Sequence, residues 1–87
     1  MFDLRISDRA KKEYLRVDRS TRDRLEQRFE ELRQDPFDAR ISSPLTSKEG
    51  LRKSRIGGWR IIFTVDRGEL LVLIVTVARR GQVYHRM

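Results

Sequence analysis

Eighty-seven residues with no cysteine make one domain, 1–87, near the smallest size at which a core holds a fold without disulfides or a metal. No thiol chemistry is available, no apolar run approaches the roughly 20 residues of a membrane span, and the opening MFDLRISDRAKKEYL lacks the apolar middle of a signal peptide. A reducing cytoplasm without membrane association is expected. The net charge is +7, and residues 51–87 supply most of it with eight Lys/Arg against two Asp/Glu, a bias that attracts polyanions or merely solvates a surface.

Phe2, Leu4 and Ile6 alternate with Asp3 and Arg5, which predicts a short half-buried strand. Ser7 offers an N-cap, and Ala10, Tyr14 and Val17 follow at helical spacing. Ser20 is a candidate cap for a second helix, whose apolar stripe is Leu25, Phe29 and Leu32 and which must stop before Pro36. Residues 35–50 hold Pro36, Pro44, Gly50 and several Ser/Thr, so a long loop is expected. From Leu51 the pattern turns to strands. Leu51–Ile56 and Trp59–Asp66 flank Gly57-Gly58, a tight hairpin signal, and Leu70–Ala78 is apolar on both faces, as an interior strand requires. The order β-α-α-β-β-β predicts an α+β domain with two helices on one face of a small, mostly antiparallel sheet.

The hairpin register carries the functional signal. A two-residue turn at Gly57-Gly58 sets Ile56 opposite Trp59, Arg55 opposite Arg60 and Lys53 opposite Ile62. Ile56, Trp59, Ile61, Phe63 and Val65 then face the helices, while Lys53, Arg55 and Arg60 gather on the other side. Like charges directly opposite on a sheet cost about 0.2–1 kcal/mol. Stability gives no reason for that arrangement, whereas binding a phosphate does.

The chemistry is narrowed by what is missing. The one histidine, His85, has no acidic or histidine cluster beside it on the basic face, and there is no cysteine nucleophile, so no metal or cofactor is expected. Cations alone support RNA cleavage by the substrate's own 2′-hydroxyl. A lysine crowded by arginines accepts the proton, arginines hold the phosphate, and an aromatic ring stacks on a base. Tyr84, close after Arg79-Arg80, is the candidate ring.

The stretch Leu51–Phe63, LRKSRIGGWRIIF, resembles the "R-x-R-x-G-x-[YW]-R-hydrophobic" core of RelE/ParE toxins. Val77–Tyr84, VARRGQVY, resembles the "H/K-R-x-x-V-Y" close of the same proteins. Both lie in order over nearly the whole chain. The resemblance to the RelE branch implies a toxin of a type II toxin–antitoxin system that cuts mRNA on the ribosome, without a cofactor, with 16S rRNA contacts. Matched by position, Lys53 becomes the general base with Arg55 beside it, Arg60 the phosphate holder, Arg80 the stabiliser or acid at the leaving group, and Tyr84 the stacking ring. Arg52, Arg79 and Arg86 become further RNA contacts. Arg55 stands where such enzymes often carry lysine, and Arg79 where many carry histidine. Strict alternation from Leu70 puts Arg79 rather than Arg80 on the Arg60 face, so the match requires a bulge or strand end near Ala78. His85 and Glu49 are read as an ordinary terminal histidine and loop acid.

Two alternatives stay open: a ParE-like inhibitor of gyrase, and an RNA-binding blocker of translation that does not cut. The resemblance also implies a cognate antitoxin. Leu71, Leu73, Val75 and Val77 are expected on the Ile62 face, an apolar strip beside the basic cluster suited to an amphipathic, acidic partner segment. Closure of residues 35–50 over the strip is the other possibility.

Overall fold

Ser7 closes the first strand and opens the first helix, using one hydroxyl for both. In the computed structural model, which describes residues 1–46 and 50–79, β1 spans Asp3–Ile6 and α1 spans Asp8–Arg16. The Ser7 Oγ accepts the Ala10 amide at 3.1 Å, capping α1, and donates to the Val75 carbonyl at 2.7 Å. The second helix, α2 at Arg19–Gln34, ends before Pro36 as expected. Its N-cap is Asp18, and Ser20 lies inside the first turn. The Asp18 carboxylate accepts the Thr21 hydroxyl at 2.5 Å, which holds its pKa below the ordinary carboxylate value. Leu25, Phe29 and Leu32 form the buried stripe that their spacing requires.

Five strands form one sheet among the described residues, in the order β1-β5-β4-β3-β2. Here β2 is Ser43–Pro44, β3 Arg52–Ile56, β4 Trp59–Asp66 and β5 Leu71–Arg79. β1 runs parallel to β5, and the other pairs are antiparallel. The architecture is the expected α+β one, with β2 as an addition inside the segment read as loop. Pro44 is tolerated there because β2 is an edge strand. The hairpin register is the one that Gly57-Gly58 implies, with Ile56 opposite Trp59 and Arg55 opposite Arg60. Gly57 has φ +58°, the left-handed conformation of such turns, and the Arg24 guanidinium comes within 2.7 Å of where a β-carbon would sit. Both helices pack on one face, burying Ala10, Leu25, Phe29 and Leu32 against Ile61, Phe63, Val72 and Ile74. Among the described residues no helix is long and apolar enough to cross a membrane.

One irregularity decides where the end of β5 points. Ile62 pairs with Thr76 but Phe63 pairs with Ile74, so Val75 is an extra residue, a β-bulge. α1 grips it from both ends. Ser7 donates its hydroxyl to the Val75 carbonyl and its amide to the Ile74 carbonyl, the latter at 2.9 Å. A turn and a half along, the Glu13 carboxylate accepts the Thr76 hydroxyl at 2.7 Å and the Val77 amide at 2.9 Å.

The bulge reverses the alternation beyond it. Val77, expected on the face away from the helices, lies in the helix-side core, and Ala78 stands opposite Arg60. The apolar strip is therefore divided. Leu45 and Leu51, flanking the stretch 46–50, pack on Ile62 and Ala78, whereas Leu71 and Leu73 stay half-buried on the outer face.

Glu13→Ala removes the acceptor of a buried amide and a hydroxyl, and is expected to cost about 1–3 kcal/mol. Urea unfolding measures this as a lowered midpoint, with a smaller drop for Glu13→Gln, which keeps an acceptor oxygen. An unchanged midpoint in the alanine variant would show that the bulge holds without the carboxylate.

Candidate functional site

β3 and β4 carry the basic set on the face away from the helices. Arg55 lies directly opposite Arg60, and Lys53 lies between Ser43 of β2 and Ile62 of β4. Side chains alternate along a strand, so Lys53, Arg55 and Arg60 share this outer face. Directly opposed backbones of an antiparallel pair are about 4.5–5.5 Å apart, which brings Arg55 and Arg60 into one patch.

The three differ in exposure. Arg55 is exposed and Lys53 half-buried, whereas Arg60, expected in an open cluster, is only 1% exposed. Among the described residues, neither Lys53 nor Arg55 has an ion pair or a side-chain hydrogen bond. Their charge is free for a ligand.

Their backbone is held from beneath. Arg28 of α2 donates from Nη1 to the Ser54 Oγ and to the Arg55 carbonyl, both at 2.7 Å, and its Nε reaches Glu31 at 2.9 Å. This ties β3 to α2 at Ser54, between the two cations, and at Arg55 itself. The sequence reading did not find Arg28, because an arginine on the polar flank of a helix looks like any solvated charge.

The segment before β3 makes a wall. Ala39–Ser43 with Lys53 and Arg55 line a shallow groove. Arg40 in that wall forks onto Asp38 at 3.1 and 2.8 Å, and that fork pulls the Asp38 carboxyl down to about 2. Arg40 is thus matched locally, and the groove owes its charge to Lys53 and Arg55.

The other sequence-derived positions divide. Arg52 points to the opposite face, donating to the Ser42 Oγ at 2.8 Å with its guanidinium 5.0 Å from the Phe37 ring. It ties the wall to β3 and does not join the Lys53 group. Arg79 pairs with Trp59 across the ladder, its guanidinium 5.6 Å from that ring, so it too lies away from Arg60. Arg80, Tyr84 and Arg86 lie outside the described residues, as do His85 and Glu49. Among the described residues no three His, Asp or Glu side chains form a cluster able to hold a metal. What the outer face presents is the Lys53 amine and the Arg55 guanidinium on one hairpin, with Arg60 enclosed on the same face, and these are the cation types that bind phosphate.

The fold has close counterparts among toxins. The toxin–antitoxin complex RelBE2 of Mycobacterium tuberculosis matches with a TM-score of 0.79 at 21% identity, over 91% of this chain and 98% of that one. The intact Escherichia coli RelBE toxin–antitoxin complex matches with a TM-score of 0.81 at 19% identity, over 94% and 100%. The archaeal RelE–RelB complex from Pyrococcus horikoshii OT3 matches with a TM-score of 0.80 at 18% identity, over 93% and 97%. At these identities the likeness is one of fold. No curated protein matches the sequence significantly. The family model described as the ParE toxin of type II toxin–antitoxin systems, parDE, matches residues 4–84. Fold and sequence model agree, and the chain belongs to the ParE toxin family, within the RelE/ParE superfamily of type II toxin–antitoxin toxins.

Proposed function

We propose that this toxin is a metal-independent endoribonuclease that cuts mRNA on the ribosome and so stops translation. The observation that carries the reading is the placement of Lys53, Arg55 and Arg60 together on the sheet face opposite the helices. A sheet selected only for stability avoids such pairs.

In this reading the 2′-hydroxyl attacks the adjacent phosphorus and gives its proton to the Lys53 amine. Arg60, enclosed in the free protein, has to be uncovered to hold the phosphate, and Arg55 adds charge at its edge. The bond from phosphorus to the 5′-oxygen breaks, and that oxygen takes a proton with Arg80 at hand. The products are a 2′,3′-cyclic phosphate and a 5′-hydroxyl. Tyr84 stacks on a base, while Arg79 and Arg86 contact RNA, including 16S rRNA. Arg52, bonded to Ser42, serves by holding the groove wall.

The solved counterparts include complexes of RelE with RelB, which supports a cognate antitoxin here. An acidic segment lying over Leu71 and Leu73 toward Lys53 and Arg55 satisfies both the apolar and the basic part of the outer face. A second reading, non-enzymatic inhibition of gyrase, has the ParE family model in its favour.

Lys53→Ala is expected to abolish toxicity while shifting stability by no more than about 0.5 kcal/mol, since the side chain leaves no core void. Growth assays with urea unfolding test both halves, and full toxicity would remove Lys53 from the site. For Arg60, which is buried, Arg60→Lys is the informative change, because alanine leaves a void. It is expected to slow cleavage by about 10²–10³-fold in primer extension on mRNA in a translating extract. The upstream fragment is expected to carry a cyclic phosphate, chelators to leave the rate unchanged, and a 2′-deoxy nucleotide before the cut to block it. Cleavage of the deoxy substrate rules the mechanism out, and gyrase inhibition without mRNA cleavage selects the second reading.

The antitoxin is expected to raise hydrogen-exchange protection along β3 and β5. Unchanged protection there on binding would place it elsewhere.

A further inference from the structure

A second concentration of positive charge lies on the helix side of the sheet, away from Lys53 and Arg55. Arg9, Lys12 and Arg16 recur at i, i+3 and i+7 on α1, one helical face about 10 Å long. With Trp59 and Arg79 they line an open groove between α1 and the ends of β4 and β5.

Two carboxylates also line it, and both are engaged within the fold. Glu13 receives Thr76 and Val77 and lies 3.7 Å from Arg9, and Asp18 receives Thr21. Lys12, Arg16 and Arg79 are exposed and have no ion pair among the described residues. The helix dipole accounts for Arg16 in the last turn of α1, but for neither Lys12 nor Arg79. Trp59 is half-buried, with the Arg79 guanidinium 5.6 Å from its ring. An aromatic ring and an arginine plane set among free cations make a stacking platform beside phosphate donors.

We propose that this groove is a second binding site, for the backbone of single-stranded RNA, separate from the place of cleavage. Lys12, Arg16 and Arg79 take phosphates, and a base stacks at Trp59. An amphipathic protein segment fits less well. Apart from Trp59, the apolar residues here are Val17, Val77 and Ala78, all at least 92% buried, so there is no anchor for an apolar stripe. The position also suits a continuous strand. Trp59 pairs with Arg79 and the next rung pairs Arg60 with Ala78, so one RNA strand passing over the hairpin end meets both faces of the sheet. The proposal rests on the RNA-cutting reading for its choice of polymer, but its test does not depend on cleavage.

Trp59 is the chain's one tryptophan, so its fluorescence reports on this groove. The full-length protein is titrated with a 2′-O-methyl oligoribonucleotide of about ten nucleotides, which 2′-hydroxyl attack cannot cleave. Binding is expected to change the Trp59 emission. The double variant Lys12→Gln, Arg16→Gln is expected to weaken binding about fivefold or more and to flatten the salt dependence by about 0.7 log units per lost contact. Lys11→Gln with Arg19→Gln removes the same charge from exposed positions outside the groove, and is expected to leave the emission change and most of the affinity. Binding with unchanged Trp59 emission, no loss in the groove variant, or equal loss in both variants overturns the proposal. Failure of cleavage in the Lys53 experiments leaves this outcome untouched, and failure here leaves the cleavage assay untouched.

Discussion

The grip of α1 on the β5 bulge organises both faces of this molecule. Ser7 and Glu13, six residues apart on one short helix and its cap, hold the carbonyls and amides that an extra Val75 would otherwise leave without ladder partners. Because strand side chains alternate with a period of two, one extra residue exchanges the faces of everything after it. Val77 goes under the helices, Ala78 comes to lie against Arg60, and Arg79 goes to Trp59. The small alanine opposite Arg60 and the cation on the aromatic ring both follow from hydrogen bonds made some distance away.

The two faces use charge in different ways. On the outer face, Arg60 is enclosed, Lys53 is half-buried and Arg55 is exposed, so three cations on one face meet three different degrees of solvation. On the inner face, the arginines do structural work as well. Arg28 holds β3 to α2, and Arg52 and Arg67 approach the Phe37 ring at 5.0 and 4.4 Å. Part of the basic composition is therefore mortar, which total charge alone cannot reveal.

Most of the fold was legible because it rests on local signals. Two glycines between alternating runs determine the hairpin, and with it the pairing of Arg55 with Arg60. The stripe of Leu25, Phe29 and Leu32 and the stop at Pro36 determine α2. The cap of α2 was misplaced by two residues, since Asp18 and Ser20 are both good caps and only the path of the chain chooses between them. The bulge was inferred near Ala78 only from a family match and lies at Val75, because its cause is a side chain 62 residues earlier. Sequence separation also hid Arg28, 26 residues from Ser54, and the groove beside Trp59, whose parts come from α1, β4 and β5. The burial of Arg60 was not legible either, since alternation gives a face and says nothing of what covers it.

The strand order has a consequence for when the protein comes into being. β1, made first, lies beside β5, made after the rest of the sheet, and α1 finds its bulge only on β5. Until residues 71–79 have emerged, the first helix lacks its main packing surface and β4 lacks its main neighbour. A contact between such distant parts of the chain forms late, since the intervening loop must be closed before the contact rewards it. Closure of the sheet thus waits for its fifth strand, which is made last among the described elements.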